Sequence, residues 1–143
     1  MTDLPGELAG LTPDEVLAFL REAPDDAVRE RVHAIGTGLV LTLVFDGWAA
    51  RIEGPARAPG LLLFALDDGG VVHRHGLALS AAGARHIAEP VEAPRATVRT
   101  TLVRFLRVAA GAQDAKRLVV TGRMRIGGDV LWAVTSLAGM RRG

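Results

Sequence analysis

The sequence predicts an α+β domain in layers, with helices over residues 1–59 and a sheet with further helices over residues 60–143. Three observations carry that reading. Helix punctuation dominates the start of the chain. The middle holds β-rich runs separated by Asp-Gly and Pro chemistry. The last third alternates between strand and helix, through ATVRTTLVRFLRVAAG and LVVTGRMRIGGDVLWAVTSLAG. No linker, internal repeat or low-complexity run divides the chain, so residues 1–143 are read as one domain, and nearly half of them are apolar, enough for a core.

Thr12-Pro13-Asp14-Glu15 opens the first helix: Thr suits the N-cap, Pro the first helical position and Glu the reciprocal capping bond. The helix runs to Glu22 or Ala23, burying Val16, Leu17 and Leu20, and Pro24 ends it. A second helix begins at Asp25 or Asp26, sets Val28, Val32 and Ile35 on one face, and closes at Gly36. From Thr37 to Ile52 the residues alone leave two choices. Asp46-Gly47 favours a hairpin turn between β-formers, and the same run is apolar almost all round as a buried helix.

Pro and Gly in GPARAPG break the chain before the sheet. Strands are predicted at Leu61–Asp67, Val71–Leu79, about Ala84–Glu89 and Arg95–Thr100, the first two joined as an antiparallel hairpin by Asp67-Asp68-Gly69-Gly70. Ser80 to Gly83 turns the chain into the third strand, and Pro90 to Pro94 carries it across to the fourth. Leu102–Ala110 is a helix with Leu102, Phe105, Leu106 and Ala109 on one face, Arg104 and Arg107 pointing away, and Gly111 at its end. From Leu118 to Ile126 every even position is apolar or small, the period of a strand with one buried face. Gly127-Gly128 breaks that strand and Asp129 caps the final helix. There Val130, Leu131, Val134, Leu137 and Ala138 share one face, taken as the core side. Trp132 lies nearly opposite, where it either is exposed or meets a ligand, a lid or a second subunit.

The run TGRMRIGGD, preceded by a strand and a helix ending VAAG and followed by an apolar helix, resembles the sterol carrier protein 2 family, whose C-terminal signature is Gly-basic-apolar-basic-apolar-x-Gly-Asp. The resemblance extends from about Leu61 to Leu137 and weakens upstream. It implies a twisted, mostly antiparallel sheet of about five strands, covered on one side by helices and enclosing an apolar tunnel for fatty-acyl chains, acyl-CoA or sterols. It also tips residues 37–52 toward a helix beneath the sheet. Facing and resemblance together nominate Phe64, Leu102, Phe105, Leu106, Met124, Ile126, Leu131 and Trp132 as lining residues. Val119-Val120-Thr121-Gly122 stands where the family more usually has Phe-x-x-Gly, which leaves the ligand's size open.

Catalytic chemistry finds little support. The chain has no Cys, hence no disulfide, thiol nucleophile or thiolate metal site. Its two serines, Ser80 and Ser136, lie outside any Gly-x-Ser-x-Gly elbow, no phosphate-binding loop is present, and no cofactor is expected. His73 and His75 share a strand face with His86 on a neighbouring strand, but no further ligand stands at a recognisable spacing, so no metal site is expected. Net charge is +1, with sixteen Arg and one Lys. Arg95, Arg99, Arg123 and Arg125 are placed to share one side of the sheet and meet phosphates, but scarce aromatics and near-neutral charge argue against nucleic acid. MTDLPGELAG is no secretory signal and IGTGLVLTLVFDGWAARI, broken by Asp46, falls short of the roughly 20 apolar residues of a spanning helix, so a cytoplasmic protein is expected. The expected activity is therefore non-catalytic binding of an apolar small molecule. The alternatives are an interaction module, a homodimer through Trp132 among them, and a nucleic-acid module.

Overall fold

The computed structural model describes residues 13–51, 59–80, 83–90, 92–111, 113 and 115–142. The expected Thr12 cap and the side chains of Val16, Leu17, Leu137, Ala138 and Met140 to Arg142 lie outside the described residues. Helices α1 (Pro13–Glu22), α2 (Asp25–Ile35) and α3 (Thr37–Arg51) precede strands β1 (Gly60–Asp68), β2 (Val71–Ser80), β3 (Gly83–Ala88) and β4 (Ala96–Thr101). Then come α4 (Leu102–Ala109), α5 (Ala115–Val120), β5 (Arg125–Gly128) and α6 (Val130–Arg142).

The strands form one five-stranded sheet in the order β3-β2-β1-β4-β5, with every pair antiparallel except β1 and β4. That parallel pair follows from the connection after β3. Between Ala88 at the end of β3 and Ala96 at the start of β4 the chain passes from the sheet edge beyond β2 to the far side of β1. Pro90 presses on Gly76, where an added Cβ would meet the proline ring at 3.3 Å. Register puts Gly76 on the same face as Leu61, Leu63 and Ala65, and helices α3 and α4 pack on the opposite face. β1 is consequently buried continuously from Leu61 to Leu66.

Residues 37–51 are helical, as the family resemblance implied over the hairpin. An apolar helix is stable there because Leu41, Phe45 and Trp48 are buried against β2, β3 and the neighbouring helices. Val28 and Val32 of α2 join the same core, and Gly36 takes the positive φ that closes the helix.

Two expectations for the last third are corrected. Leu118–Ile126 is not one strand: Leu118 to Val120 belong to α5, and only Arg125–Gly128 pairs with β4. The reason is a helix terminus of the Schellman type. Gly122, at φ 76, donates its N–H to the Val119 carbonyl, and the Arg123 N–H reaches the Leu118 carbonyl. That glycine ends a helix, so Leu118 and Met124 point into the core while Val120 is 85% exposed. Gly127 continues β5, which ends at Gly128 with φ 80 just before Asp129, as the glycine pair predicts.

The faces of α6 are also reversed. Ala133 and Ser136 are fully buried and Trp132 nearly so, whereas Leu131 is 78% exposed and Val130 45%. Both faces of this helix are apolar in sequence, so its rotation is set by how it is launched. The Asp129 carboxylate accepts from the Trp132 N–H at 3.1 Å, as expected of a cap, and Trp132 then seats beside Gly60. A Cβ at Gly60 would meet Trp132 at 3.0 Å, which is how closely the indole approaches the strand. Arg95 lies over the indole, 5.1 Å from the ring centroid, and bridges to Asp129 at 3.0 Å.

Arg107, read as pointing away from the core, is buried as well. Its guanidinium donates to the carbonyls of Leu20 and Ala23 and to the Asp25 carboxylate, at 2.8 and 2.9 Å for the latter two. The last carbonyls of α1 thus find donors on a helix more than eighty residues later in the chain, and burial of the charge is compensated by those bonds.

Candidate functional site

The chamber expected between sheet and helices is occupied by an aromatic cluster. Phe45 of α3 is at its centre, with ring centroids 5.1 Å from Phe64 of β1, 4.9 Å from Phe105 of α4 and 6.1 Å from Trp48. Phe45, Phe64 and Phe105 are fully buried. Sequence places them far apart, and the cluster exists because β1 and α4 present their apolar faces to the same side of α3. Helix α4 does so because Thr101 caps it directly at the end of β4, its hydroxyl accepting from the Arg104 N–H at 3.2 Å.

Of the nominated lining residues, Phe64, Leu102, Phe105, Leu106, Met124 and Trp132 belong to this one core, and Ile126 packs against it half-buried. Leu131 stands on the outer face of α6 and is not part of that core. The residues that sequence reasoning did not place here are Phe45 and Trp48, because residues 37–52 gave no face.

At the edge of the cluster stands a polar chain. The rings of His75 and His86 stack on Phe45 at centroid distances of 5.0 and 5.2 Å. His75 Nδ1 and His86 Nε2 are 2.9 Å apart, and His86 Nδ1 lies 2.8 Å from the Asp46 carboxylate. The carboxylate only accepts, so the proton on His86 is assigned to Nδ1, its Nε2 accepts, and His75 donates from Nδ1. Burial, together with the neighbouring His86 and His73, lowers the His75 pKa from its ordinary 6.5 to about 4, keeping the ring neutral. Sequence parity had put His73 and His75 on one face with His86 on a neighbouring strand, and the register of β3 brings His86 to that same face. The structure bears out the facing, and among the described residues no group of three His, Asp or Glu side chains is disposed to hold a metal ion.

A second polar knot lies at the end of β1. Asp68, 8% exposed, accepts from Arg29 Nε at 2.8 Å and lies 2.6 Å from His33 Nε2, with His73 3.8 Å away. Burial would raise its pKa, but the bonds and charges of His33 and Arg29 outweigh that and hold the carboxyl below its usual range. Beside it opens a cleft of about 240 Å³ lined by Asp25, Asp26, Arg29, Asp67 and the first turn of α4. Its charged walls and position outside the aromatic cluster make it no extension of the apolar interior. Ser80 is exposed at the end of β2, and Ser136 is buried in α6 without a hydrogen-bond partner among the described residues, so Ser136 is not paired with a histidine base.

Taken together, a five-stranded mixed sheet with helices on its core face, preceded by N-terminal helices, is a sterol carrier protein 2-like fold, mostly antiparallel as expected. No protein-family model and no curated protein matches the chain. Solved structures do. The structure of sterol carrier protein 2 like 2 from Aedes aegypti is similar with a TM-score of 0.60 at 16% identity, over 72% of this chain and 98% of that one. The solution structure of a palmitated sterol carrier protein 2-like protein from the same organism gives 0.59 at 16% identity, over 68% and 90%. A sec-alkyl sulfatase variant gives 0.57 at 18% identity over 67% of this chain, where the likeness spans 15% of that larger chain. At these identities the likeness establishes the fold.

Proposed function

We infer that this domain binds an apolar small molecule, of fatty-acyl, acyl-CoA or sterol type, without transforming it. The site is the layer between the core face of the sheet and α3, α4 and α6. The observation that carries the reading is the Phe45, Trp48, Phe64 and Phe105 cluster, a continuous apolar surface shared by sheet and helices within this fold. The palmitated neighbour supports the ligand class. Each methylene removed from water contributes about 0.8 kcal/mol, so an acyl chain needs few polar contacts, provided that the gain exceeds the cost of parting the packed rings. Phe64, Leu102, Phe105, Leu106 and Met124 would form the lining, with Phe45 and Trp48 added to them. The polar chain of Asp46, His86 and His75 ties α3 to the sheet, an arrangement that fits a binding role without catalysis. No single helix among the described residues is long and apolar enough to cross a membrane, and a cytoplasmic carrier fits the cysteine-free chain.

The test is native mass spectrometry of the purified protein, followed by titration with an environment-sensitive fluorescent fatty acid. Saturable enhancement, displaced by palmitate and weakened by Phe105→Ala, is expected. A protein that carries no lipid and produces no saturable signal with any acyl or sterol probe would overturn the reading. A dimer through Trp132 loses its motivating observation, because that indole is buried within its own chain.

A further inference from the structure

The face of the sheet turned away from α3 and α4 carries a row of arginines. Register aligns Arg74 of β2, Ala65 of β1, Arg99 of β4 and Arg125 of β5 side by side across four strands. With neighbouring strands about 4.8 Å apart, the row spans about 14 Å. All three arginines are exposed. None has an ion-pair partner among the described residues, whereas Arg29, Arg95 and Arg107 all do. Arg99 and Arg125 are direct cross-strand partners, and like charges placed opposite each other destabilise a sheet pair. Folding alone does not favour that pairing; an anion lying across the two does.

The rest of the face narrows the choice of anion. Among the described residues it has no aromatic side chain, because Phe64 and the histidines point to the other side, so it offers nothing on which bases would stack. Two residues along β2 from Arg74 on the same face, at the β1–β2 hairpin, Val72 is 53% exposed. An exposed valine beside arginines without ion-pair partners fits a boundary between phosphate and hydrocarbon. Asp67 shares this end of the face, and its carboxylate accepts from the Gly70 N–H at 3.1 Å within the turn. The crossing segment at Pro90 covers the opposite end, near Leu61 and Gly76, and leaves the arginine row uncovered.

We propose that this face docks on an anionic lipid bilayer, with Arg74, Arg99 and Arg125 on lipid phosphates and carboxylates and Val72 at the acyl boundary. The inference does not depend on what the interior binds.

Co-sedimentation of the full chain with vesicles tests it, using phosphatidylcholine alone and phosphatidylcholine mixed with phosphatidylserine. Binding is expected only to the mixed vesicles and should fall as salt rises. Replacing Arg99 and Arg125 with Gln should weaken vesicle binding roughly thirtyfold, from about a fivefold factor for each cation at an anionic surface. The same variant should melt no lower than the parent, which separates docking from folding. Val72→Ser should reduce the binding that survives in high salt. Equal binding to neutral vesicles, binding unchanged in the double variant, or retention of single-stranded DNA with no binding to mixed vesicles would each overturn the proposal.

Discussion

His75 and His86 lie ring against ring, centroids 5.1 Å apart, joined by a hydrogen bond of 2.9 Å from β2 to β3. His86 in turn ties the sheet to α3 through Asp46, so the pair connects the two layers of the fold.

Because His75 is held neutral in the folded chain, with a pKa near 4 against 6.5 when free, the unfolded chain binds more protons between those values. Stability should therefore be full above pH 6.5 and decline as pH falls toward 4, by about 1–2 kcal/mol once the ring's partial exposure is allowed for. Urea midpoints measured across this range check it. His75→Gln should flatten the decline, and an unchanged slope in that variant would assign the effect elsewhere.

Gly128 adopts φ 80, and a Cβ there would stand 2.5 Å from the Arg95 carbonyl oxygen. Gly128→Ala should cost about 3 kcal/mol, combining left-handed strain with a backbone clash that no side-chain rotation relieves. Gly127→Ala is the control, since nothing lies within 4 Å of its Cβ position. Thermal unfolding of the two variants should differ clearly, with only Gly128→Ala melting well below the parent.

Phe105→Ala and Leu131→Ala separate the core from the surface of the nominated lining. Phe105 is 1% exposed and contacts three aromatic neighbours, so its truncation should cost about 3–5 kcal/mol. Leu131 is 78% exposed, and its truncation should change stability by less than about 0.5 kcal/mol. Denaturant titration measures both. Comparable losses would mean that α6 is rotated from the orientation described.

Local chemistry made much of the fold legible. Pro24 and Gly36 bound α2, the Asp67 to Gly70 turn sets the hairpin, and Asp129 caps α6, each through backbone constraints that operate within a few residues. Parity placed His73 and His75 on one face for the same reason. The misreadings arose where two periodicities fit the same short apolar run. Leu118 to Val120 satisfied a strand pattern until Gly122 closed a helix, and both faces of α6 were apolar enough to be core.

The sequence by itself determined most element types and boundaries outside residues 37–52 and 118–124, and the apolar content of the interior, because caps, turns and strand alternation depend on near neighbours. The tertiary structure decided which apolar residues meet. Phe45, Phe64 and Phe105 converge, Trp132 turns inward beside Gly60, and Arg107 reaches the end of α1. It also aligned Arg74, Arg99 and Arg125 in one row. Those relations depend on strand order, on register and on the angle at which each helix leaves the sheet, and these are fixed only when the layers pack.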